Sequence, residues 1–586
     1  MKVKTKKVWT ILSTVAVTVV AGVASGAAEV WCSPSGTTTA AYTEADPGAL
    51  SGVMSKIDTG TADAPSMIYL KTGEYSLTTK MDWRWQNKHY IITSATGKRA
   101  DVVFRGGGDG STAVGQLWWF NASANYVNRL KSVTFRDFVT SDAILYQSSG
   151  RLALNQYIED CAFINNYGKG PVIYGGIVKN CHFEDNNMPE ADKSLVCGAA
   201  LVEGCTFVNN IGSKGVNIDV YGPVRKCVFK GNRAMLKGGA IMRLNNFNYE
   251  GIANNPIPIE ECYFENNKAP NGGAVYNDYN NRHLLFKNCQ FVNNSAEENN
   301  GVVDIQGGTT FSNCVFVANS AAADNGVGPS HFIDCVFSNN TAQVDGGVFK
   351  GSFSTNIRDC RFVGNRAGRW YGCVYVQIGS ISNVWFEGNY ALTNSAVGMN
   401  YRGNVTKGYN GVFIGNLSSN MVAMGSWYNS LFVSNRCEDA GGMFEPGNLF
   451  NCTVVNNYGK PSTGASECAN SILADNEPYD LSRGAYARSF NNVIYSKTDG
   501  GTFSPLNNCI QVDSARTVGF YWNEDGRQPY WGLKKKSIAR NKGDNAKLPS
   551  GIAYDLFGQG RIEGDIVDIG CYECWPVSLG LLLIVK

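Results

Sequence analysis

The sequence has little charge, few histidines and no long apolar run after its N-terminal region. Charged residues make up 17% of the 586 residues and leave a net charge of +2, which argues against an electrostatic nucleic-acid binder. Four histidines argue against a histidine-built metal or acid/base centre. No segment beyond residues 8–23 reaches the ~18 apolar residues of a transmembrane helix. We therefore expect no nucleic-acid partner and no membrane span in the mature chain.

The N-terminus has the pattern of an export signal. Lys2, Lys4, Lys6 and Lys7 precede an apolar stretch over 8–23, and small residues follow at 24–28. This order of basic, apolar and small residues is typical of a cleaved signal peptide, so we assign residues 1–27 to it. The sequence thus predicts a secreted or cell-surface protein.

Glycine and aromatic residues are abundant where charge is scarce. Glycine accounts for 66 residues without an every-third-residue period, which excludes collagen, and the aromatic share of 12% excludes a disordered polymer. Half of the 18 cysteines fall in one motif, Cys-x-Phe, instead of a disulfide-like arrangement. The motif begins at Cys161, Cys181, Cys205, Cys227, Cys262, Cys289, Cys314, Cys335 and Cys360.

The motif recurs at a period that indicates a coil of β-strands. With replaced cysteines the frame extends from residue 102 to residue 509 at about 24 residues per repeat, too short for a pair of helices. Cys and Phe are two residues apart and so share one face of a strand, which we predict is buried. One or two Asn residues follow each Phe, and Asn tolerates the left-handed backbone of a corner. We predict that the cysteines are stacked, buried thiols that are mostly unpaired and bind no metal.

These repeats resemble a known family. The right-handed parallel β-helix of pectin-lyase-like proteins has such coils, and Phe-x-x-Asn followed by Gly-Gly-Ala-(Ile/Val) is similar to the repeat of polymorphic outer-membrane proteins. Both halves occur together at 229–241 and 264–275. The resemblance implies an all-β, single-stranded right-handed parallel β-helix with N- and C-terminal caps. The chain departs from those outer-membrane proteins after residue 510, where no pattern of a terminal barrel follows.

The resemblance also divides the chain. Residues 28–100 look like an N-terminal cap and first coils, including a short helical stretch near 50–57. Residues 101–510 hold the repeats, 511–574 resemble the C-terminal coils and cap module of exported β-helix proteins, and 575–586 form a short apolar tail. The tail reads either as a divergent anchor or as a capping strand.

Candidate functional residues are sparse. A hydrolase of this fold needs clustered carboxylates, and a lyase needs a basic residue together with Ca²⁺ or another cation to neutralise a uronate. Strand alternation offers one polar row as a candidate groove: Asp219, Arg243, Asp304 and Lys350. We expect these four residues not to converge. No catalytic residue, cofactor or metal ligand is assigned, and Ca²⁺ belongs only to the lyase alternative.

A second surface candidate is aromatic. Outward aromatic side chains stack on sugar rings, and the sequence suggests this role for Trp370, Tyr371, Tyr401, Trp427 and Tyr428. The leading interpretation is a monomeric, non-enzymatic surface protein that is adhesive or binds glycans, with a polysaccharide or a host or cell-surface component as partner. The alternative is a polysaccharide lyase or glycosidase acting on acidic polysaccharides.

Overall fold

The structure is a computed structural model that describes most of the chain from residue 27 to residue 574. It describes residues 27–77, 81–83, 86–106, 118–120, 125–147, 155–189, 194–219, 221–243, 256–277, 283–297, 301–305, 308–321, 326–327, 330–343, 349–351, 355–368, 374–376, 379–392, 395–399, 407–419, 421–438, 444–445, 447–459, 467–481, 489–500, 506–521, 531–562 and 564–574. The expected signal peptide and the 575–586 tail lie outside these residues, apart from Ala27.

The chain coils into a right-handed parallel β-helix, which confirms the predicted fold class. Strands of successive turns pair in parallel and form three sheets of 36, 15 and 13 strands. Each turn advances the chain by one strand spacing of ~4.8 Å. A typical turn runs through Leu201–Glu203, Thr206–Val208, Ile211–Lys214 and Ile218–Asp219. The first two of these strands belong to the large sheet, the third to the 13-stranded sheet and the last to the 15-stranded sheet.

The strand bounds follow the repeat along the whole rod. The large sheet comprises Glu29–Thr37, Ser66–Leu70, Gly73–Ser76, Tyr90–Ser94, Val102–Arg105, Asn128–Lys131, Thr134–Arg136, Gln156–Glu159, Ala162–Ile164, Ile177–Lys179, His182–Glu184, Leu201–Glu203, Thr206–Val208, Val224–Arg225, Val228–Lys230, Ile257–Glu260, Tyr263–Glu265, Leu284–Lys287, Gln290–Val292, Thr309–Ser312, Val315–Val317, Ser330–Ile333, Val336–Ser338, Thr355–Val363, Gly379–Glu387, Lys407–Ile414, Ser426–Tyr428, Leu431–Val433, Leu449–Phe450, Thr453–Val455, Glu467–Ala469, Ile472–Ala474, Ser489–Asn491, Ile494–Tyr495, Leu506–Asn507 and Ile510–Gln511. The 13-stranded sheet comprises Val139–Thr140, Tyr167–Gly168, Asn187–Met188, Ile211–Lys214, Arg233–Lys237, Lys268–Ala269, Ser295–Ala296, Ser320–Ala321, Thr341–Ala342, Arg366–Ala367, Tyr390–Ala391, Leu417–Ser418 and Arg436–Cys437. The 15-stranded sheet comprises Met81–Asp82, Trp118–Phe120, Leu145–Gln147, Ile173–Tyr174, Val196–Cys197, Ile218–Asp219, Ile241–Arg243, Val275–Asn277, Val303–Ile305, Gly326–Val327, Phe349–Gly351, Val374–Val376, Ser395–Met399, Met421–Met424 and Phe444–Glu445.

The Cys-x-Phe motif points into the rod, as its spacing predicts. Each Cys and Phe of the nine motifs is buried, and the phenyl rings stack from turn to turn. Phe264 lies between Phe229 and Phe291 with ring centroids 4.8 and 4.7 Å away. Cys262 donates its S–H to the carbonyl of Val224 in the preceding turn. This column of thiols and rings forms one edge of a core that runs the length of the helix.

The two Asn residues that follow Phe have different roles. The first adopts the left-handed backbone, as Asn266 does with φ of 55°. The second is buried, and its side-chain oxygen accepts both the backbone N–H and the side-chain N–H of its counterpart one turn earlier. This asparagine ladder comprises Asn166, Asn186, Asn210, Asn232, Asn267, Asn294, Asn319, Asn340, Asn365, Asn389, Asn416, Asn435, Asn457 and Asn476. It ends on the carboxylate of Asp480, which accepts the backbone and side-chain N–H groups of Asn476.

The two ends of the rod are built differently. At the N-terminus, Glu29–Thr37 pairs with Ser66–Leu70, and a 3₁₀ helix over Leu50–Ser55 inserts Leu50, Val53 and Met54 into the core. At the C-terminus, a short helix over Ala515–Val518 and a 3₁₀ turn over Asn545–Lys547 belong to a largely irregular segment. None of the helices that the structure describes is long and apolar enough to cross a membrane.

The C-terminal segment packs against the outer surface of the last turns of the rod. Leu431, Ile472 and Ile494 face outward, yet they are buried in a second apolar cluster together with Phe520 and Trp531. Backbone hydrogen bonds also hold the segment against the rod: Gly570 donates its N–H to the carbonyl of Asn470. We call residues 512–574 the C-terminal clamp. It covers one outer face of the turns from Val412 onward.

Candidate functional site

Among the described side chains, the outer face of the 15-stranded sheet carries two that the sequence singled out, Asp219 and Asp304. One register row on this face runs through Tyr146, Tyr174, Cys197, Asp219, Met242, Tyr276 and Asp304. The adjoining residues Ile218, Ile241 and Val275 are aligned with each other and belong to the central core. The alternation of the strand therefore turns the row outward.

Of the four predicted groove residues, three fall in this row and one does not. Asp219 is three strands from Asp304, and Lys350 is two strands beyond it, paired with Gly326. Arg243 pairs with Asn277 and through it with Ile305, so it occupies the neighbouring register position, which is buried at Asn277 and Ile305. The side chains of Arg243 and Lys350 lie outside the described part of the structure, so the expectation that the four residues do not converge stays a prediction.

The two carboxylates of this row face outward by register but are covered. Asp219 is 2% exposed and Asp304 is 3% exposed. Glycine-containing corners approach the residues between them in this row: Gly215 lies directly against Met242, and the left-handed Gly238 lies near Tyr276. A Cβ atom at Gly215 would lie 2.1 Å from the Cβ of Met242. The sequence argument missed this cover because alternation fixes a direction and not what lies above it.

The Gly-Gly pair of the repeat has a steric reason. Gly272 has φ of 61°, and a Cβ atom at Gly273 would lie 2.3 Å from the carbonyl oxygen of Ser295. Only glycine permits both the left-handed conformation and this close approach of neighbouring turns. On the outer side, Lys237 donates a 2.6 Å hydrogen bond to the hydroxyl of Tyr276 and lies over its ring.

Nearer the N-terminus the same row is open and aromatic. The rings of Tyr146 and Tyr174 stack with centroids 5.0 Å apart and an interplanar angle of 13°. Together with Tyr157 of the large sheet they line a concavity of about 10 Å³, which is roughly enough for one water molecule. Burial raises the pKa of Tyr146, and the neighbouring Tyr174 adds to the effect, so this phenol stays protonated at neutral pH. All three tyrosines are partly exposed.

The floor of this concavity, which we call the tyrosine pocket, contains one buried amide. Gln156 is 4% exposed and lines the pocket with Gly175 and Gly176. Its Nε2 donates to Oδ1 of Asn128 at 3.0 Å and to the carbonyl of Tyr126 at 3.2 Å. Its Oε1 accepts no hydrogen bond within the described part of the chain.

A ladder of alternating charges borders the pocket. Along one outward row of the large sheet the residues in register are Lys131, Glu159, Lys179, Glu203, Arg225, Glu260 and Lys287. Glu159 binds Arg129 at 3.1 Å, and Lys179 binds Glu203 at 3.0 Å. Arg129 also lies over the ring of Tyr157, with its guanidinium carbon 4.0 Å from the centroid. Because the signs alternate, this face has little net charge.

Sequence reasoning missed the tyrosine pocket and placed aromatics elsewhere. Trp427 was predicted to face outward, and this is wrong, because it is buried in the inward row. Tyr428 lies in the outward row with Tyr409 and Phe450, as predicted, but it is only 8% exposed. Trp427 pairs with Gly408 and Leu449 in the inward row, and the missing side chain of Gly408 makes room for its ring. Trp370, Tyr371 and Tyr401 lie outside the described residues. The available signal was that Tyr146 and Tyr174 each follow an apolar residue at the same position of consecutive turns.

A family model supports the repeat assignment. The Chlamydia polymorphic membrane protein repeat matches residues 261–278, which hold Phe264, both corner asparagines and the Gly-Gly pair. The chain is a right-handed parallel β-helix protein with repeats of this type. No curated protein matches the sequence significantly.

Solved structures with a similar course of the chain include enzymes that act on polysaccharides. A pectate lyase has 14% identity and a TM-score of 0.17, covering 94% of this chain and 97% of its own. A mannuronic-acid-specific family 6 lyase from human gut microbiota has 10% identity and a TM-score of 0.26, covering 83% and 90%. A mannuronan C-5 epimerase module from Azotobacter vinelandii has 11% identity and a TM-score of 0.17, covering 77% and 92%. Scores this low support no inference about activity.

Among the described residues, no group of three or more His, Cys, Asp or Glu side chains is arranged to hold a metal ion. In the C-terminal clamp, the buried carboxylate of Glu573 pairs with the guanidinium of Arg561 at 3.2 Å, and this guanidinium also donates to the backbone carbonyl of Asp568. Asp555 and Asp568 are buried in the same segment. Within the described part of the chain, the partly exposed tyrosines of this pocket are the candidate contact surface for a ligand, whereas the Oε1 of Gln156 does not reach solvent.

Proposed function

We propose that this chain is an exported β-helix protein of the cell surface that binds glycans without transforming them. The observation that carries the proposal is the contrast along one outer row: Asp219 and Asp304 are buried, whereas Tyr146 and Tyr174 are partly exposed. Aromatic rings bind the apolar faces of sugars, and covered carboxylates have no access to a substrate. This contrast favours recognition over catalysis.

Charge supports the same proposal. A protein that acts on acidic polysaccharides needs cations free to meet carboxylates, and Lys179, Arg225 and Arg129 are already paired with glutamates. Pairs of this kind contribute little to stability when exposed, but they neutralise the face they occupy. A rod with such a face does not attract an anionic polymer by long-range electrostatics.

Surface location is the second part of the proposal. It is supported by the basic, apolar and small-residue order of the first 28 residues and by the repeat shared with polymorphic membrane proteins. Expression of the full chain in a bacterium followed by N-terminal sequencing of the exported product tests it. We expect cleavage near residue 27; a product that keeps residues 1–27 and stays in the cytoplasm would contradict it.

One experiment separates binding from catalysis. The purified protein is incubated with neutral and acidic polysaccharides, and three quantities are followed: retention of protein by the immobilised polymer, ultraviolet absorbance of unsaturated uronates, and new reducing ends. We expect retention with neither product. Turnover lost in Arg243→Ala or Lys350→Ala would establish the lyase alternative, and absence of both retention and turnover would sink the glycan proposal altogether.

A further inference from the structure

We propose that the outer face of the 13-stranded sheet docks on a lipid bilayer that carries anionic headgroups. The inference goes beyond glycan binding and concerns a different face of the rod from the tyrosine pocket, so either can fail while the other stands. It is carried by the exposed cations and the exposed apolar side chains that lie together along this sheet.

One outward row runs the length of the 13-stranded sheet. In each strand the first residue points outward and the second is buried, as at Thr341 and Ala342. The row comprises Val139, Tyr167, Asn187, Ile211, Arg233, Lys268, Ser295, Ser320, Thr341, Arg366, Tyr390, Leu417, Arg436 and, through an isolated bridge, Tyr458. With one strand spacing per turn, the row is about 60 Å long from Tyr167 to Tyr458.

The row carries positive charge, and none of its members is acidic. Its cations are all exposed: Arg233, Lys268, Arg366 and Arg436. Two of them, Lys268 and Arg436, bind glutamates at the border of the sheet. The other two make no ion pair with any carboxylate in the described part of the chain. The row therefore keeps a positive charge, which the ladder of alternating signs on the large sheet does not have.

Exposed apolar side chains are concentrated on the same sheet. Eleven large apolar side chains of the described residues are exposed, and six of them lie on this sheet or directly beside it, between 38% and 54% exposed. The six are Tyr167, Ile211, Met235, Leu236, Leu392 and Tyr458. Such a concentration on one face is typical of an interaction surface.

A β-bulge brings two of these side chains out together. The register shifts by one residue between the strands Ile211–Lys214 and Arg233–Lys237. Strict alternation would bury either Met235 or Leu236, whereas the extra residue leaves them 54% and 48% exposed. Both side chains project beside Arg233, one of the two cations without an ion pair.

This combination fits a bilayer. Anionic headgroups attract lysine and arginine, and aliphatic side chains such as Met235 and Leu236 enter the boundary between headgroups and acyl chains. Tyrosine is enriched at the same boundary. The flat, extended row matches a planar surface, because its apolar side chains are separated by polar residues along the rod.

Other occupants fit this face less well. A protein interface needs a contiguous apolar centre, which the separated side chains do not form. Sugar rings bind the faces of aromatic rings, whereas four of the six exposed apolar side chains are aliphatic. A second copy of this chain would place cations opposite cations, which is unfavourable.

Cosedimentation with vesicles tests the inference. The protein without residues 1–27, whose apolar stretch would itself bind lipid, is mixed with vesicles of phosphatidylcholine alone or with an equal amount of phosphatidylglycerol. The bound fraction is measured over a range of lipid and salt concentrations. We expect binding to the anionic vesicles to be about tenfold tighter than to the neutral ones and to weaken as the salt concentration rises.

Paired variants assign the binding to this face. Arg233→Glu combined with Arg366→Glu reverses the two cations without an ion pair, and we expect it to weaken binding to the anionic vesicles by about tenfold or more. Met235→Ser combined with Leu236→Ser removes the exposed apolar pair and should weaken binding by about tenfold. All four side chains are exposed, so circular dichroism should show an unchanged fold.

The matched control changes the net charge by the same amount on another face. Lys287→Glu combined with Arg358→Glu alters two exposed cations of one outward row of the large sheet. We expect this variant to bind the anionic vesicles within about twofold of the wild type, apart from the small effect of net charge. The tail over 575–586 is the same in every variant.

Four outcomes would overturn the inference. They are absence of vesicle binding, equal binding to neutral and anionic vesicles, binding that survives both variants of the face, and binding that falls as much in the control. Self-association that both variants of the face abolish, measured by sedimentation velocity without vesicle binding, would assign the face to a second copy instead. None of these results bears on the retention of the protein by neutral polysaccharides, which tests the proposed function separately.

Discussion

At the scale of single residues, two adjacent asparagines have different roles in one corner of a turn. Asn266 is exposed and supplies a left-handed conformation, whereas Asn267 is fully buried and bridges three turns through its amide. Its Oδ1 accepts two N–H groups of Asn232, and its Nδ2 donates to Phe229 and to Asn294. A buried backbone corner therefore keeps all its polar groups satisfied.

Loss of one ladder amide should be costly. Asn267→Ala leaves two buried donors of Asn232 without an acceptor, and we expect the free energy of unfolding to fall by about 2–5 kcal/mol. Urea titration followed by circular dichroism measures it. Asn266→Gly is the matched control, because glycine also adopts the left-handed conformation, and it should change stability by no more than about 1 kcal/mol. Equal effects of the two variants would contradict the division of roles.

At the scale of elements, the Cys-x-Phe strand is the unit of the core. Phe264→Ala opens a cavity between two stacked rings, and we expect a loss of about 3–5 kcal/mol. Gln290→Ala, in the equivalent strand of the next turn, is the control because that side chain is exposed. Its free energy of unfolding should stay within about 0.5 kcal/mol of the wild type. Chemical denaturation of both variants under the same conditions compares them. A phenylalanine variant as stable as the wild type would show that the column is not a packed core.

The C-terminal clamp is an element with an unusual electrostatic centre. Arg561 and Glu573 are each 1% exposed and approach to 3.2 Å, with Asp555 and Asp568 also buried nearby. Burial raises the pKa of Glu573 to about 8, against the lowering effect of Arg561, and Asp568 raises it further. Burial likewise raises the pKa values of Asp555 and Asp568.

The clamp should weaken as the pH rises. Because the folded pKa of Glu573 lies above its unfolded value near 4.3, the stability it contributes is complete at low pH and is lost as the pH rises through about 8. Calorimetry between pH 5.5 and 8, below the ionisation of unfolded thiols, should show the unfolding temperature of the clamp falling by several degrees. Glu573→Gln should remove most of this dependence; an unchanged slope in that variant would rule out Glu573 as its source.

At the scale of the whole molecule, the cysteines behave as core residues. Sixteen of the seventeen described cysteines are buried. Burial raises the pKa of Cys437 and Cys571 to about 12, which suppresses the reactive thiolate.

The burial of the cysteines predicts how many thiols react in a titration. In native protein at pH 7.5 we expect about one thiol to react with a disulfide reagent, Cys509 being the described cysteine that is partly exposed. After denaturation without reductant the count should approach the 18 cysteines of the sequence. Fewer than about four free thiols in the denatured protein would show that the core contains disulfides.

The sequence alone was sufficient for the fold because the evidence for a solenoid is local and repeated. Cys205 and Phe207 are two residues apart, so a strand puts both on one face, and the repetition of that spacing puts the faces in one column. The sequence also contains a signal for the position of the C-terminal clamp. The residue between the two motif positions is mixed up to Arg361 and apolar at Val412, Leu431, Ile472 and Ile494, which indicates strands covered on both faces.

Only the tertiary structure decided what is accessible on the outer face. Strand alternation gives the direction of a side chain, but it does not show that Asp219 is only 2% exposed, or that Tyr146 and Tyr157 line one concavity where two sheets meet. Burial of Trp427 likewise depends on the absence of a side chain at Gly408, nineteen residues earlier and one turn away. A periodic sequence determines the core because every turn repeats the same buried positions. A binding surface forms where the turns differ, and it depends on contacts between residues of different turns.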